Sequence, residues 1–123
     1  MNFVSNFLTI HNQFRVMHWQ TAHKVGSFAA HNAYGTAYEE LDPLIDDFIE
    51  IYQGKRGIIK GKNGFTISLV NLPEDPISMV DECINFLSDI VPQVLDEKDT
   101  DLLNIRDEML GILNQTKYRL GMK

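Results

Sequence analysis

Apolar residues recur at three- and four-residue steps in four separate stretches of the chain, the mark of helices that bury one face. The first stretch, about residues 2–23, carries Phe3, Phe7, Ile10, Phe14, Met17 and Thr21. Gly26 interrupts it, and Ser27 is placed to cap a second helix over about 27–53. That helix aligns Ala30, Ala33, Tyr34, Ala37, Leu41, Ile45, Phe48 and Tyr52, and Gly54 is its expected stop. Pro43 lies inside it, where a proline removes a backbone donor and crowds the preceding turn. The pattern predicts either a kink near Glu39–Pro43 or two shorter helices. Asp75-Pro76 is a strong helix start, and Ile77, Val80, Ile84, Leu87, Val91 and Val94 mark a third helix over about 76–95, with Pro92 bending its last turns. After an acidic turn at 96–99, a fourth helix over about 99–120 aligns Leu102, Ile105, Met109, Ile112, Leu113, Thr116 and Leu120.

Four amphipathic helices of similar length bury their stripes best as a bundle. Short turns make the first and last pairs antiparallel. Residues 54–75 hold four of the eight glycines, Gly54, Gly57, Gly61 and Gly64, together with Ile58, Ile59, Phe65, Ile67 and Leu69. This loop is long enough to cross the bundle and leave the second and third helices parallel. It forms a short hairpin around Asn63-Gly64 or packs over one end. The fold class is therefore all-α, a four-helix bundle with a long crossover between helices 2 and 3, in one domain of 123 residues.

Composition narrows the function classes. Net charge is −6, which disfavours nucleic-acid binding, and the basic cluster Lys55, Arg56, Lys60 and Lys62 reads as a solvated loop. No apolar run approaches the ~20 residues of a membrane span, and the first residues lack the form of a signal peptide. The single cysteine, Cys83, cannot pair within the chain and reads as core packing in a reducing cytoplasm.

The polar residues of interest fall on the first two helices. At 100° per residue, His31, Gly35, Glu39, Asp42, Asp46 and Glu50 share one border of the second apolar face. Asp46 and Glu50 stand one turn apart and can hold a cation between them, although a row of acids is usually a solvated face. Asp47 and Glu40 project to the other side. On the first helix, His11 and His18 lie seven residues apart on one face, and Trp19 reads as a packing anchor. Carboxylates combined with imidazoles suit Fe, Mn or Zn. No phosphate loop, dinucleotide fingerprint or nucleophile elbow occurs.

The elements His18-Trp19-Gln20, Ser27-Phe28-Ala29-Ala30-His31 and Asp46-Asp47-Phe48-Ile49-Glu50 together resemble the signature of Dps-type mini-ferritins, members of the ferritin-like superfamily. The stretch from Phe28 to Lys55 is also similar to short Dps-like proteins encoded by large tailed phages. The resemblance implies an inter-subunit di-iron ferroxidase site. His18 and His31 of one copy would face Asp46 and Glu50 of another, with Zn or Mn as substitutes for Fe. It implies a homo-oligomer, at least a dimer and in the family a 12-subunit cage, and a host-cytoplasmic location for a phage product. The chain departs from the family in four ways. The interval between the histidines is one residue longer. The family's Asp one turn after the second His is Gly35, for which Glu39 could compensate. The Lys/Arg-rich N-terminal run that some members use on DNA is missing, and the chain is short. The competing reading is a non-enzymatic helical interaction protein on a degenerate ferritin-like scaffold.

Overall fold

In the computed structural model the described residues are 3–22 and 27–122. The expected break at Gly26 lies outside them. Four helices form: α1 over Phe3–Gln20, α2 over Phe28–Arg56, α3 over Pro76–Asn85 and α4 over Thr100–Leu120. Among the described residues there is no strand, only an isolated bridge between Lys62 and Gly64.

The sequence stripes become the core. Phe7, Phe14, Met17, Tyr34, Leu41, Phe48, Leu87, Val91, Leu102, Met109 and Leu113 are all essentially inaccessible. Each large side chain so buried contributes about 1.5–3 kcal/mol. The α1–α2 pair is zipped by rings: Phe3 on Tyr52 (4.9 Å between centroids), Phe7 on Phe48 (5.0 Å), His11 on Tyr38 (4.4 Å), Phe14 on Tyr34 (6.1 Å) and His18 on His31 (4.0 Å). Numbers rise on one helix as they fall on the other, so the pair is antiparallel. Lys117–Asp81 (2.7 Å) and the Arg106 guanidinium on the Leu87 carbonyl (3.3 Å) set α4 antiparallel to α3 in the same way.

Helix α2 runs unbroken through Pro43, so the two-helix alternative does not occur. Pro43 and Glu39, whose carbonyl loses its donor, both face solvent, where water can replace the missing bond. The helix also passes Gly54 and ends at Gly57, whose φ of +90° suits only glycine and whose N–H reaches the Gln53 carbonyl at 2.8 Å. The extra turn is held from α4. Asp99, almost fully buried, receives two bonds from Arg56 (Nη1 3.1 Å, Nη2 2.5 Å), one from Lys55 (3.0 Å) and one from the Asp96 backbone N–H (2.8 Å). Lys55 also pairs with Asp101 at 2.5 Å. Two of the four residues expected to be a solvated basic loop are thus clamped onto the expected acidic turn. Asp99 stands at the N-cap position of α4 yet makes no cap bond, because its carboxylate is turned to those cations.

Asp75 caps α3 as expected, accepting from the Ile77 N–H at 3.1 Å with Pro76 in the first turn. The third helix does not continue as α-helix to residue 95. Phe86–Ile90 widen into a π turn and Val91–Val94 tighten into a 3₁₀ turn. Pro92 has no N–H for the Ser88 carbonyl and would clash with it, and the Val91 N–H bonding back to Phe86 relieves this. Phe86 and Cys83, outside the expected stripe or read only as packing, are buried here.

The crossover makes no hairpin. It runs along α1 and is held by two glutamine side chains. The buried Gln13 amide bonds both the N–H (2.9 Å) and the carbonyl (2.8 Å) of Val70. Gln20 accepts from the Leu72 N–H (2.6 Å) and donates to Asn71 Oδ1 (2.9 Å). Because it returns from the Arg56 end to the Phe28 end before α3 begins, α2 and α3 point the same way.

Two outcomes follow for stability. Asp99 is held well below the usual carboxylate range, first by the Arg56 bonds and then by the Asp96 N–H and Lys55. A depressed carboxylate stabilises the fold above the unfolded-state value of about 4 and loses that contribution as pH falls. Asp99→Asn should therefore lower the melting temperature at neutral pH, and the gap from the native protein should close as melts are repeated below pH ~4. Gly111→Ala in α4, where an added Cβ meets nothing within 4 Å, should raise stability by about 0.5–1 kcal/mol in denaturant titrations.

Candidate metal centre

The two histidines of interest come together where α1 ends and α2 begins. The last carbonyls of α1 lack helical partners and must be satisfied by other groups. Thr21 turns back to do part of this, its hydroxyl reaching the Met17 carbonyl at 2.9 Å and that of His18 at 3.0 Å. The Ala22 N–H takes the Trp19 carbonyl at 3.2 Å, and His31 adds a second donor to the His18 carbonyl, its Nδ1–H reaching it at 2.7 Å. In return the Nδ1–H of His18 donates to the His31 carbonyl at 2.8 Å. A carbonyl can only accept, so both rings carry the proton on Nδ1 and a lone pair on Nε2 in their neutral form. This is the tautomer and orientation that metal-ligating histidines adopt when a backbone carbonyl fixes the other nitrogen. Ser27 stands at the α2 cap position, but its hydroxyl donates to the Thr21 carbonyl at 2.7 Å instead of closing the helix start.

The stacked rings lie 17° from parallel. Lone pairs in two near-parallel planes do not converge, so the pair as it stands cannot pinch one ion. Each ring can instead serve its own. The pair also explains Gly35. A Cβ at that position would fall 2.7 Å from His18 Cε1 and 2.8 Å from its Nδ1. The His18 ring occupies the space that the stem of any larger residue would need.

Asp46, Asp47 and Glu50 form an exposed acidic group whose ligand oxygens all lie within 4.8 Å of one another. Asp47 was expected to point away. Glu50 is four residues from Asp46 and three from Asp47, so it reaches both on the next turn. The i, i+3 spacing was the signal for this third carboxylate. Within one copy the acids are remote from the histidines: fifteen residues separate His31 from Asp46, about 22 Å of helix. Glu39 is exposed two turns past His31 and joins no group of three ligands with the histidines among the described residues.

The remaining candidates are structural. His11 stacks on Tyr38 and places Nε2 3.1 Å from Asp42 Oδ1, outside hydrogen-bond direction. Burial lowers its pKa, against the pull of Asp42. His23, whose place near the end of the first helical stretch suits an exposed or capping residue, lies outside the described residues. Trp19 does not anchor the core; it is 61% exposed, with the Arg15 guanidinium 5.8 Å from its ring. It stands two residues from Met17 and two from Thr21, both buried, so at 100° per residue it points away from the core stripe. Cys83 is buried, and desolvation pushes its thiol up to about 12, so it carries no thiolate at neutral pH.

Residues 18–120 match a family of unknown function (DUF5856). The chain belongs to that family. It is also similar to an uncharacterized 14.6 kDa protein of the mobD-ri intergenic region of Enterobacteria phage T4, at 30% identity over 113 residues, covering 89% of this chain and 78% of the relative. No solved structure gives a significant match. The family span takes in His18, Gly35, the acidic group and the Asp99 clamp, and it leaves out most of α1. No helix among the described residues is long and apolar enough to cross a membrane.

Gly35→Ala tests the contact between α2 and the histidine pair. It gains helix propensity but drives the His18 ring off its carbonyl, so it should cost about 1–3 kcal/mol where Gly111→Ala gains. In proton–nitrogen NMR spectra the Nδ1–H signals of both imidazoles should move or vanish.

Proposed function

We propose that this protein binds Fe(II) at sites shared between two copies of the chain, where dioxygen or peroxide from solution would accept the electron as each Fe(II) is oxidised to Fe(III). His18 and His31 of one copy would act with Asp46 and Glu50 of the other. The observation that carries the reading is the reciprocal histidine pair: two imidazoles with Nδ1 fixed on carbonyls and Nε2 left for ligation. The acids sit about 22 Å further along α2 of the same copy, too far for one chain to bring both sets to one cation. The parallel α2 and α3 joined by a crossover support a ferritin-like bundle, and the ring geometry favours two separate cations over one.

The residues present fit such a donor set in part. Mixed imidazole and carboxylate ligands suit Fe, with Zn or Mn as substitutes. Gly35 supplies no carboxylate, so one of the two positions has a poorer set and should bind more weakly. Asp47 adds a carboxylate on the acidic side. The chain's own part is to hold Nε2 free, to set the imidazole planes apart and to attract cations with a surface of net charge −6. The assembly is at least a dimer, and a closed cage of 12 copies is the larger form that the resemblance implies. A phage-encoded relative is consistent with work in a host cytoplasm.

The second reading, a helical interaction protein without metal chemistry, is favoured by the exposure of Trp19 and Phe28 beside the histidine end.

Anaerobic titration with Fe(II), or with Co(II) as a spectroscopic probe, separates the two. Saturable binding is expected, with one strong and one weak site per chain. Both Asp46→Asn/Glu50→Gln and His18→Ala/His31→Ala should weaken it at least ~10-fold. Mixing these two variants should restore part of the binding, because a mixed dimer keeps one intact set. Absence of saturable binding, or binding indifferent to all four substitutions, rejects the metal reading.

A further inference from the structure

The crossover between α2 and α3 carries a segment whose chemistry no helix of this fold uses. From Gly64 to Val70 it reads Gly-Phe-Thr-Ile-Ser-Leu-Val, rich in β-branched and aromatic residues and free of charge. Phe65, Ile67 and Leu69 are 43%, 39% and 40% exposed, an apolar cluster held open to solvent. Among the described residues, no peptide group from Phe65 to Leu69 has a hydrogen-bond partner within the chain.

The bonds that follow the segment say which way these groups face. In extended chain the N–H and C=O of one residue lie on the same edge, and the edge alternates from residue to residue. The Gln13 amide binds both groups of Val70, as a neighbouring strand would, and Gln20 takes the N–H of Leu72. Even-numbered residues therefore turn their peptide groups to α1. Odd-numbered residues, Phe65, Ile67 and Leu69, turn theirs the other way, to an edge that nothing covers. Ser68 and Val70 side chains line a groove of about 500 Å³ between α1 and α3, as the same alternation requires.

The charges flanking the segment select the occupant of that edge. Lys60 and Lys62 precede it, and Glu74 and Asp75 follow it. Two copies laid antiparallel bring the basic end of each to the acidic end of the other, whereas a parallel pairing sets like charges together.

We propose that this open edge is a dimer contact: Phe65–Leu69 pairs antiparallel with the same segment of a second copy, about a two-fold axis at Ile67. Phe65 then bonds opposite Leu69, Ile67 opposite Ile67, and the apolar side chains of the two copies meet on one face. The pairing closes an edge that would otherwise template aggregation. It is independent of the metal reading, which concerns α1 and α2.

The test is sedimentation of the full chain over a range of concentrations without metal, with amide hydrogen exchange read by NMR. A monomer–dimer equilibrium is expected, with the Phe65, Ile67 and Leu69 amides gaining protection as dimer forms and those of Thr66 and Ser68 not. Lys60→Glu and Glu74→Lys, which stand opposite each other across the axis, should each weaken the dimer about 10-fold, and the double variant should recover most of the loss. Ile67→Pro removes the donor at the axis without touching an intrachain bond and should abolish dimerisation, with unchanged helical circular dichroism as its control. A chain monomeric at all concentrations overturns the proposal. So does a dimer whose odd-numbered amides exchange freely or whose stability ignores the charge reversals; such a dimer uses another face.

Discussion

The reciprocal bond between His18 and His31 is the constraint on which the junction of α1 and α2 depends. One pair of contacts settles three matters at once. It gives an orphan carbonyl at the end of α1 a second donor, ties that end to the first turn of α2, and fixes both imidazoles in one tautomer. The stack leaves no room on the α2 backbone beneath His18, so Gly35 follows from it. A residue that looks like a lost ligand is, in this fold, the seat of a ring.

The opposite end is held by charge instead of rings. Asp99 gathers Arg56, Lys55 and a backbone N–H in a nearly closed site and so joins the end of α2 to the start of α4. An exposed ion pair contributes little, but a carboxylate with several geometrically matched donors sets orientation as well as energy. Between the two ends, the ring ladder of α1 and α2 fixes register. The glutamines of α1 then bind the returning crossover by its backbone, and that decides the direction in which α3 starts.

This division of labour bears on the proposed chemistry. The imidazoles are rigid because their second nitrogens are committed to the backbone, whereas the acidic group is exposed and held only by its helix. A cation shared by the two would meet one preorganised half and one adaptable half. Its affinity would depend on how closely a second copy brings the acids to the rings.

Much of the fold was legible in the residues alone, because three- and four-residue apolar spacing is a property of one helix and needs no partner. Four helices, the Asp75-Pro76 start, the buried faces and the length of the crossover all follow from it. Spacing set Asp46 and Glu50 one turn apart, and the resemblance to Dps-type mini-ferritins joined His18 and His31 to them. Tertiary structure decided what spacing cannot encode. Gly54 stays helical because Lys55 and Arg56 have distant acids to reach. Pro92 is absorbed by a π turn. Gln13, an unremarkable polar residue in sequence, becomes a substitute strand for Val70. The meeting of His18 with His31 needs two helices docked in one register, and a pattern along a single chain holds no information about contact across a gap until packing closes it.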